Sequence, residues 1–216
     1  EGKAATDPVP PKQDLAAAAL VRTVEARISS AKTVSIRLKM EVAAGDEKQA
    51  FEVAVDLKDG NRARLAVDSK GPDGKTVYSL LAVCDGKTVR RTDPDGHDDE
   101  EADAGLAAKI RELAVRAPLK DLTKTMGGSA PKTPLTYSDF AFAPDEKVGD
   151  RTARVVTYAA SRGSVRLEMK LWIDGEKLEL LKRETLEKKK DAETRVTDTF
   201  SAMTVENGVQ SNIVAS

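Results

Sequence analysis

Between Thr33 and Val67 the chain alternates apolar and polar residues almost without exception, and that regularity commits it to an amphipathic sheet. Val34, Ile36, Leu38, Met40 and Val42 interleave with Thr33, Ser35, Arg37, Lys39 and Glu41. A period of two sends one set of side chains to one face and the other set to water. After a Gly45-Asp46 turn the pattern repeats in Phe51, Val53, Val55 and Leu57, and after Asp59-Gly60 in Ala63, Leu65 and Val67. A one-sided antiparallel sheet must cover its apolar face, and the cover is the main clue to function.

The flanking segments supply candidates for that cover. Residues 1–13, with Pro8, Pro10 and Pro11, read as a disordered tether. Asp14 is placed to cap a helix over 14–30, with Leu20, Val24, Ile28 and Ala31 on one stripe. Gly71-Pro72-Asp73-Gly74 makes another turn, and the continuously apolar run Val77 to Cys84 predicts a central strand covered on both faces. Asp85-Gly86 leads into the last of five strands over 33–92, joined as a meander. The acidic stretch Asp98 to Asp103 reads as a solvated loop feeding a helix N-terminus, with Arg111 and Arg116 suiting the other helix end. Lid helices are expected over 104–126. The first carries Leu106, Ile110, Leu113 and Ala117; the second begins at Pro118, carries Leu119, Leu122 and Met126, and stops at Gly127-Gly128. Strands resume over 137–205, where Val165, Leu167, Met169, Leu171 and Ile173 alternate and Trp172 falls on the opposite face. These helices are too short to form a separate unit. Residues 14–216 are therefore expected to make a single α+β domain: a curved antiparallel sheet with helices packed on its concave face.

Composition narrows the function classes. Lys+Arg number 35 against Asp+Glu 36 in 216 residues, which leaves no long-range field to draw nucleic acid. Aromatics at 4% are too sparse for a base-stacking platform. The one cysteine, Cys84, excludes an internal disulfide and thiolate-pair zinc sites, and its place at the end of an apolar strand predicts a buried, inert thiol. His97 is the one histidine and lies in a hydrophilic stretch without a nucleophile elbow, so neither a two-histidine metal site nor a serine triad is expected. The carboxylates from Asp93 to Asp103 do not follow the EF-hand spacing, and Gly127-Gly128-Ser129 lacks the lysine of a phosphate loop. No enzyme, metal or cofactor is expected. No apolar run approaches the roughly 20 residues of a membrane span. The start at Glu1, within a Pro-, Ala- and charge-rich stretch, predicts an exported protein whose leader, with or without a lipidated cysteine, has been removed.

Several strings then carry a family resemblance. "LKDGNRARLAVDSKGPDG" from Leu57, "CDGKTVRRTDPDG" from Cys84 and "LWIDGEKLELLKRE" from Leu171 follow a leading helix that runs straight into the first strand. In this order they resemble the LolA-like family of bacterial periplasmic lipoprotein carriers and lipoproteins. The resemblance implies an unclosed β-barrel covered by helices, with an apolar cavity for acyl chains. It also implies relatives among lipid-binding mycobacterial-type lipoproteins and a sigma-factor regulator's sensor domain. One departure matters. The carriers have an arginine after strand two that helps latch the helical lid, whereas this chain reads Lys58-Asp59-Gly60-Asn61, and neither Lys58 nor Arg62 matches it.

The resulting expectation is a monomeric, non-enzymatic envelope binder of acyl lipid or lipoprotein acyl chains. Its cavity walls are expected at Ile36, Leu38, Phe51, Val53, Val55, Leu65, Ile110, Leu113, Leu122, Met169 and Leu171. The alternative is an envelope protein-interaction or sensor module whose core is filled by its own side chains.

Overall fold

The first regular element begins where the sequence places its cap. The Asp14 carboxylate accepts the N–H groups of Ala16 and Ala17 at 2.9 and 3.1 Å, two of the donors a helix start leaves unsatisfied. The computed structural model describes residues 14–92, 95–102, 105–116, 135–189 and 192–206. Helix α1 (Leu15–Ser30) buries Ala17, Ala18, Val21, Val24 and Ile28 and ends at an extended Ala31. Six strands follow: β1 (Thr33–Ala44), β2 (Glu47–Lys58), β3 (Arg62–Lys70), β4 (Thr76–Cys84), β5 (Thr88–Thr92) and β6 (Asp98–Ala102). Helix α2 (Leu106–Arg116) precedes β7 (Thr136–Val148), β8 (Arg151–Arg162), β9 (Val165–Asp174), β10 (Leu180–Lys189) and β11 (Ala192–Glu206).

All described strands belong to one antiparallel sheet in the order β6-β5-β4-β3-β2-β1-β11-β10-β9-β8-β7. It consists of two meanders joined along β1 and β11, and it ends at β6 and β7 without closing. The turn chemistry agrees with the residues present. Ala44 pairs with Glu47 across Gly45-Asp46, where Gly45 has a φ of 59°. Left-handed backbone at the first turn position favours glycine, and such turns match the twist of the flanking strands.

One face of the sheet is apolar across nearly its full width. Val34, Ile36, Leu38 and Met40 of β1 share a single buried cluster with Val53, Val55, Leu57, Leu65, Val67 and Ala82 on one side. On the other side the cluster continues through Val196, Leu180, Met169, Leu171, Val156 and Tyr158. Burying an aliphatic side chain of this size contributes about 1.5–3 kcal/mol, so this face is the main source of stability. Helix α1 packs against β7 and α2, while α2 packs against β3. Both helices add side chains to the same cluster.

Two expectations change. The acidic stretch is a strand paired with β5, and Arg90 and Arg91 of β5 form ion pairs with Glu100 and Glu101 of β6, with Arg90 Nη2 at 2.9 Å from Glu100 Oε2. Cross-strand arginines offset the like-charge crowding that made this segment read as a loop. Strand β4 is covered on one face only, since Val77 and Val83 are 63% and 41% exposed. An apolar run alone cannot tell one covered face from two. Of the expected lid over 104–126, α2 is a helix, while residues 117–126 lie outside the described residues.

The turns at the β3 end of the first meander pack closely. A Cβ on Gly86, whose φ is +102°, would stand 2.2 Å from the Gly60 carbonyl oxygen. Gly74 has a φ of +76° but open space around it. Gly74→Ala should therefore cost about 1–2 kcal/mol from backbone conformation alone. Gly86→Ala adds a backbone clash and should cost about 3 kcal/mol or more, as measured by urea unfolding. Equal losses at the two sites would contradict the close approach.

Candidate functional site

Nine of the eleven expected wall residues can be located, and all nine belong to the main apolar cluster. Ile36, Leu38, Val53, Val55, Leu65, Ile110, Met169 and Leu171 are 0–4% exposed, and Phe51 is partly buried at the cluster's margin. The side chain of Leu113, and Leu122 altogether, lie outside the described residues. Phe51 packs edge-on against Tyr78 at 5.8 Å between ring centroids, which closes that margin. The walls come from β1, β2, β3, β9 and α2, so the fold brings together residues far apart in the chain.

A polar group sits within this apolar face. Arg183 of β10 and Asp198 of β11 stand directly opposite one another, and both are fully buried. Arg183 Nε donates to Asp198 Oδ2 at 2.7 Å, and Nη2 lies 2.6 Å from the same oxygen. Arg183 Nη1 donates to the carbonyl of Ala114 in the last turn of α2, at 3.0 Å. This contact ties α2 to the sheet and satisfies a carbonyl that a helix end leaves without an intrahelical partner. The Phe200 ring centroid lies 5.9 Å from the guanidinium carbon. Thr185, two residues along β10, is also buried, and its hydroxyl has no hydrogen-bond partner among the described residues. The same holds for Asp198 Oδ1.

A second arginine joins the helices to each other. Arg111 Nη1 donates to the Ile28 carbonyl at the end of α1, at 2.9 Å. It therefore serves the C-terminus of α1 rather than that of its own helix. Burial pushes its guanidinium below the ordinary arginine value, although arginine stays charged across the working pH range. Arg27 of α1 reaches the carbonyls of Lys177 and Leu178 in the β9–β10 turn.

The opposite face carries its own small cluster. Trp172 is buried with Ala153, Val155 and Leu181, on the face its phase predicts. Its indole N–H donates to Glu146 Oε2 at 2.8 Å, and the Lys170 and Lys182 ammonium groups each lie 4.5 Å from its ring centroid. The hydrogen bond from Lys170, followed by that from Trp172, holds the Glu146 carboxyl below its ordinary value. Cys84 is buried as expected, and its sulfur accepts the Gly86 N–H at 3.3 Å.

Two open grooves, of about 410 and 490 Å³, border described residues. The first is flanked by Arg166, Lys170, Glu184 and Arg195, and the second lies at the β1–β2 hairpin by Lys48 and Gln49. Of the expected wall residues, Met169 alone borders either groove. The charges around the first groove are mutually paired, as in Arg166–Asp139 at 2.7 Å and Lys170–Glu146 at 2.7 Å.

No family model matches the sequence, and no curated protein matches it. Solved structures do. MucB, which has also been solved in complex with MucA, matches at 14% identity and a TM-score of 0.47 over 91% of this chain. The chain spans 60% of MucB's length. LprF from Mycobacterium bovis matches at 11% identity and a TM-score of 0.47, covering 90% of this chain and 95% of LprF. A LolA superfamily protein from Nitrosomonas europaea matches at 12% identity and a TM-score of 0.33, covering 88% of this chain and 93% of that protein. No residue role is taken from these matches.

Sequence reasoning passed over Arg183 and Asp198. The available signal was Asp198 itself, an acid in phase with Val196 and Phe200 on an otherwise apolar strand face. Removing one partner of a buried ion pair strands the other charge, whereas replacing both with apolar groups is often neutral. Arg183→Met should destabilise the fold by about 3–5 kcal/mol, and Arg183→Met with Asp198→Leu should recover most of the loss. Chemical denaturation of the two variants checks this; a double variant as unstable as the single one would contradict it. On the other face, fluorescence of the single tryptophan should report Glu146. The folded-state pKa of Glu146 is lowered, so its contribution is present above the unfolded value and is lost as pH falls through the folded one. The emission change should have its midpoint below the ordinary glutamate range and vanish in Glu146→Gln.

Proposed function

We propose that this chain is a non-enzymatic binder of acyl chains, carried by a lipid or a lipoprotein, and that it works as a monomer in the bacterial cell envelope. The acyl chains lie on the apolar sheet face beneath α2, against Ile36, Leu38, Phe51, Val53, Val55, Leu65, Ile110, Leu113, Leu122, Met169 and Leu171. The observation that carries this reading is the attachment of α2. Its 11 residues are fewer than an isolated helix needs in water, so its helicity depends on docking. Its buried stripe includes Ala107 and Ala114, which contribute little buried area. Among the described residues, its polar hold on the sheet includes the bond from Arg183 to the Ala114 carbonyl. Such an element opens at lower free energy than the strands it covers. An acyl chain that replaces its apolar contacts biases the protein toward the open state, because a ligand shifts an equilibrium only by its differential affinity.

A second reading has its own support. Val55, Ile110 and Leu171 are 0% exposed, so the face is filled by the protein's own side chains in this conformation. A permanently filled face fits an envelope module that meets another protein through its outer surface.

Native mass spectrometry after incubation with a fluorescent fatty acid separates the two. The acyl-binding reading predicts a discrete added mass that organic extraction removes, together with saturable probe fluorescence. A bare 23.2 kDa species that leaves the probe unchanged would overturn it in favour of the filled module.

A further inference from the structure

The buried polar group on the apolar face is more than the ion pair needs. Arg183 and Asp198 neutralise each other, and Arg183 also serves the Ala114 carbonyl. Asp198 Oδ1 and Thr185 Oγ1 are nevertheless buried with no hydrogen-bond partner among the described residues. Leaving such atoms unsatisfied is costly, and native proteins do so rarely. Strand register brings the two side chains together. Asp198 stands opposite Arg183, while Thr185 is two residues from Arg183 on the same face of β10. Diagonal neighbours of this kind have Cα atoms about 7–8 Å apart, so one small group can reach both. The surroundings are apolar and adaptable: Met40 pairs with Asp198, Met169 with Thr185, and Leu171 with Arg183.

We propose that Thr185 and Asp198 form the head-group subsite for the acyl ligand and that the subsite selects a neutral, hydroxyl-bearing head such as an acylglycerol. This inference rests on the acyl-binding reading above. The chemistry follows from Asp198 Oδ1 and Thr185 Oγ1, since Arg183 Nη2 is held 2.6 Å from Asp198 Oδ2 in the ion pair. Asp198 Oδ1 can only accept, so the ligand must supply a donor, whereas the Thr185 hydroxyl can both donate and accept. A ligand hydroxyl satisfies both: its hydrogen goes to Asp198 Oδ1 and its oxygen accepts from Thr185 Oγ1. A free carboxylate has no donor to offer and places a second negative charge beside Asp198. A methyl ester also lacks the donor. Arg183, which holds Asp198, also holds the Ala114 carbonyl of α2, so head-group recognition and lid opening share a residue.

The test compares 1-monoolein, methyl oleate and sodium oleate as competitors of a fluorescent acyl probe on the full chain. Monoolein should bind about tenfold more tightly than methyl oleate, or better, the worth of a hydrogen bond to a charged acceptor. It should also bind more tightly than oleate. Thr185→Val keeps the side-chain shape and removes a buried hydroxyl that has no protein partner. That variant should melt at or above the wild-type temperature, bind methyl oleate unchanged and lose most of the monoolein preference. Equal binding of monoolein and methyl oleate by the wild type would overturn the subsite while leaving the acyl-binding reading intact. So would an undiminished preference in Thr185→Val. If no competitor displaces the probe and the probe itself does not bind, the acyl-binding reading fails and the subsite with it.

Discussion

The ladder between β1 and β11, from Thr33 opposite Glu206 to Ala44 opposite Thr194, is where the two halves of the described sheet meet. β1 therefore pairs on both sides, with β2 through a two-residue hairpin and with β11 across most of the chain. Its alternation has to be right for both neighbours, because a slip of one residue would turn Ile36, Leu38 and Met40 to water. The apolar face exists as one surface only because this central strand holds its register. Loop closure over so long a separation is slow to form and raises contact order, so the two meanders are expected to assemble before they join. The short Gly45-Asp46 turn makes the first meander locally consistent.

On that surface the Arg183–Asp198 pair is an exception to the apolar rule. It adds little net stability compared with well-packed aliphatic residues. What it provides is position: a donor to α2 from a face that is otherwise mostly apolar. The geometry places an arginine under the helix from the other half of the sheet. Arg111 adds a second tie, from α2 to the end of α1. The two helices are thus connected to each other and to the sheet by guanidinium-to-carbonyl bonds.

Much of the fold was legible because alternation and turn chemistry are local. β1, β2, β3 and β9 follow from period-two patterns, and the Asp14 cap follows from a short polar residue ahead of an apolar stripe. What failed was nonlocal. β6 is a strand because Arg90 and Arg91 stand beside its carboxylates, and an isolated acidic string cannot show that. β4 has open positions at Val77 and Val83 because its second face is left uncovered, and an apolar run alone does not show how many faces are covered. The candidate site was legible as a set of apolar positions, but its polar centre was not. Arg183 belongs to the charged run Lys182-Arg183-Glu184 and looks solvated. A bulge between Leu180 and Lys182 sets which of these side chains faces the core.

The central claim is that α2 is a separable cover over a sheet that stays folded. Amide hydrogen exchange tests it most directly, because it reports the opening free energy of each element on its own. The account predicts that α2 amides exchange through local opening well before those of β1, β2 and β11, and that saturating acyl ligand changes α2 exchange while leaving these strands unaffected. Exchange of α2 only through global unfolding, at the same rate as β1 and with no response to ligand, would contradict it.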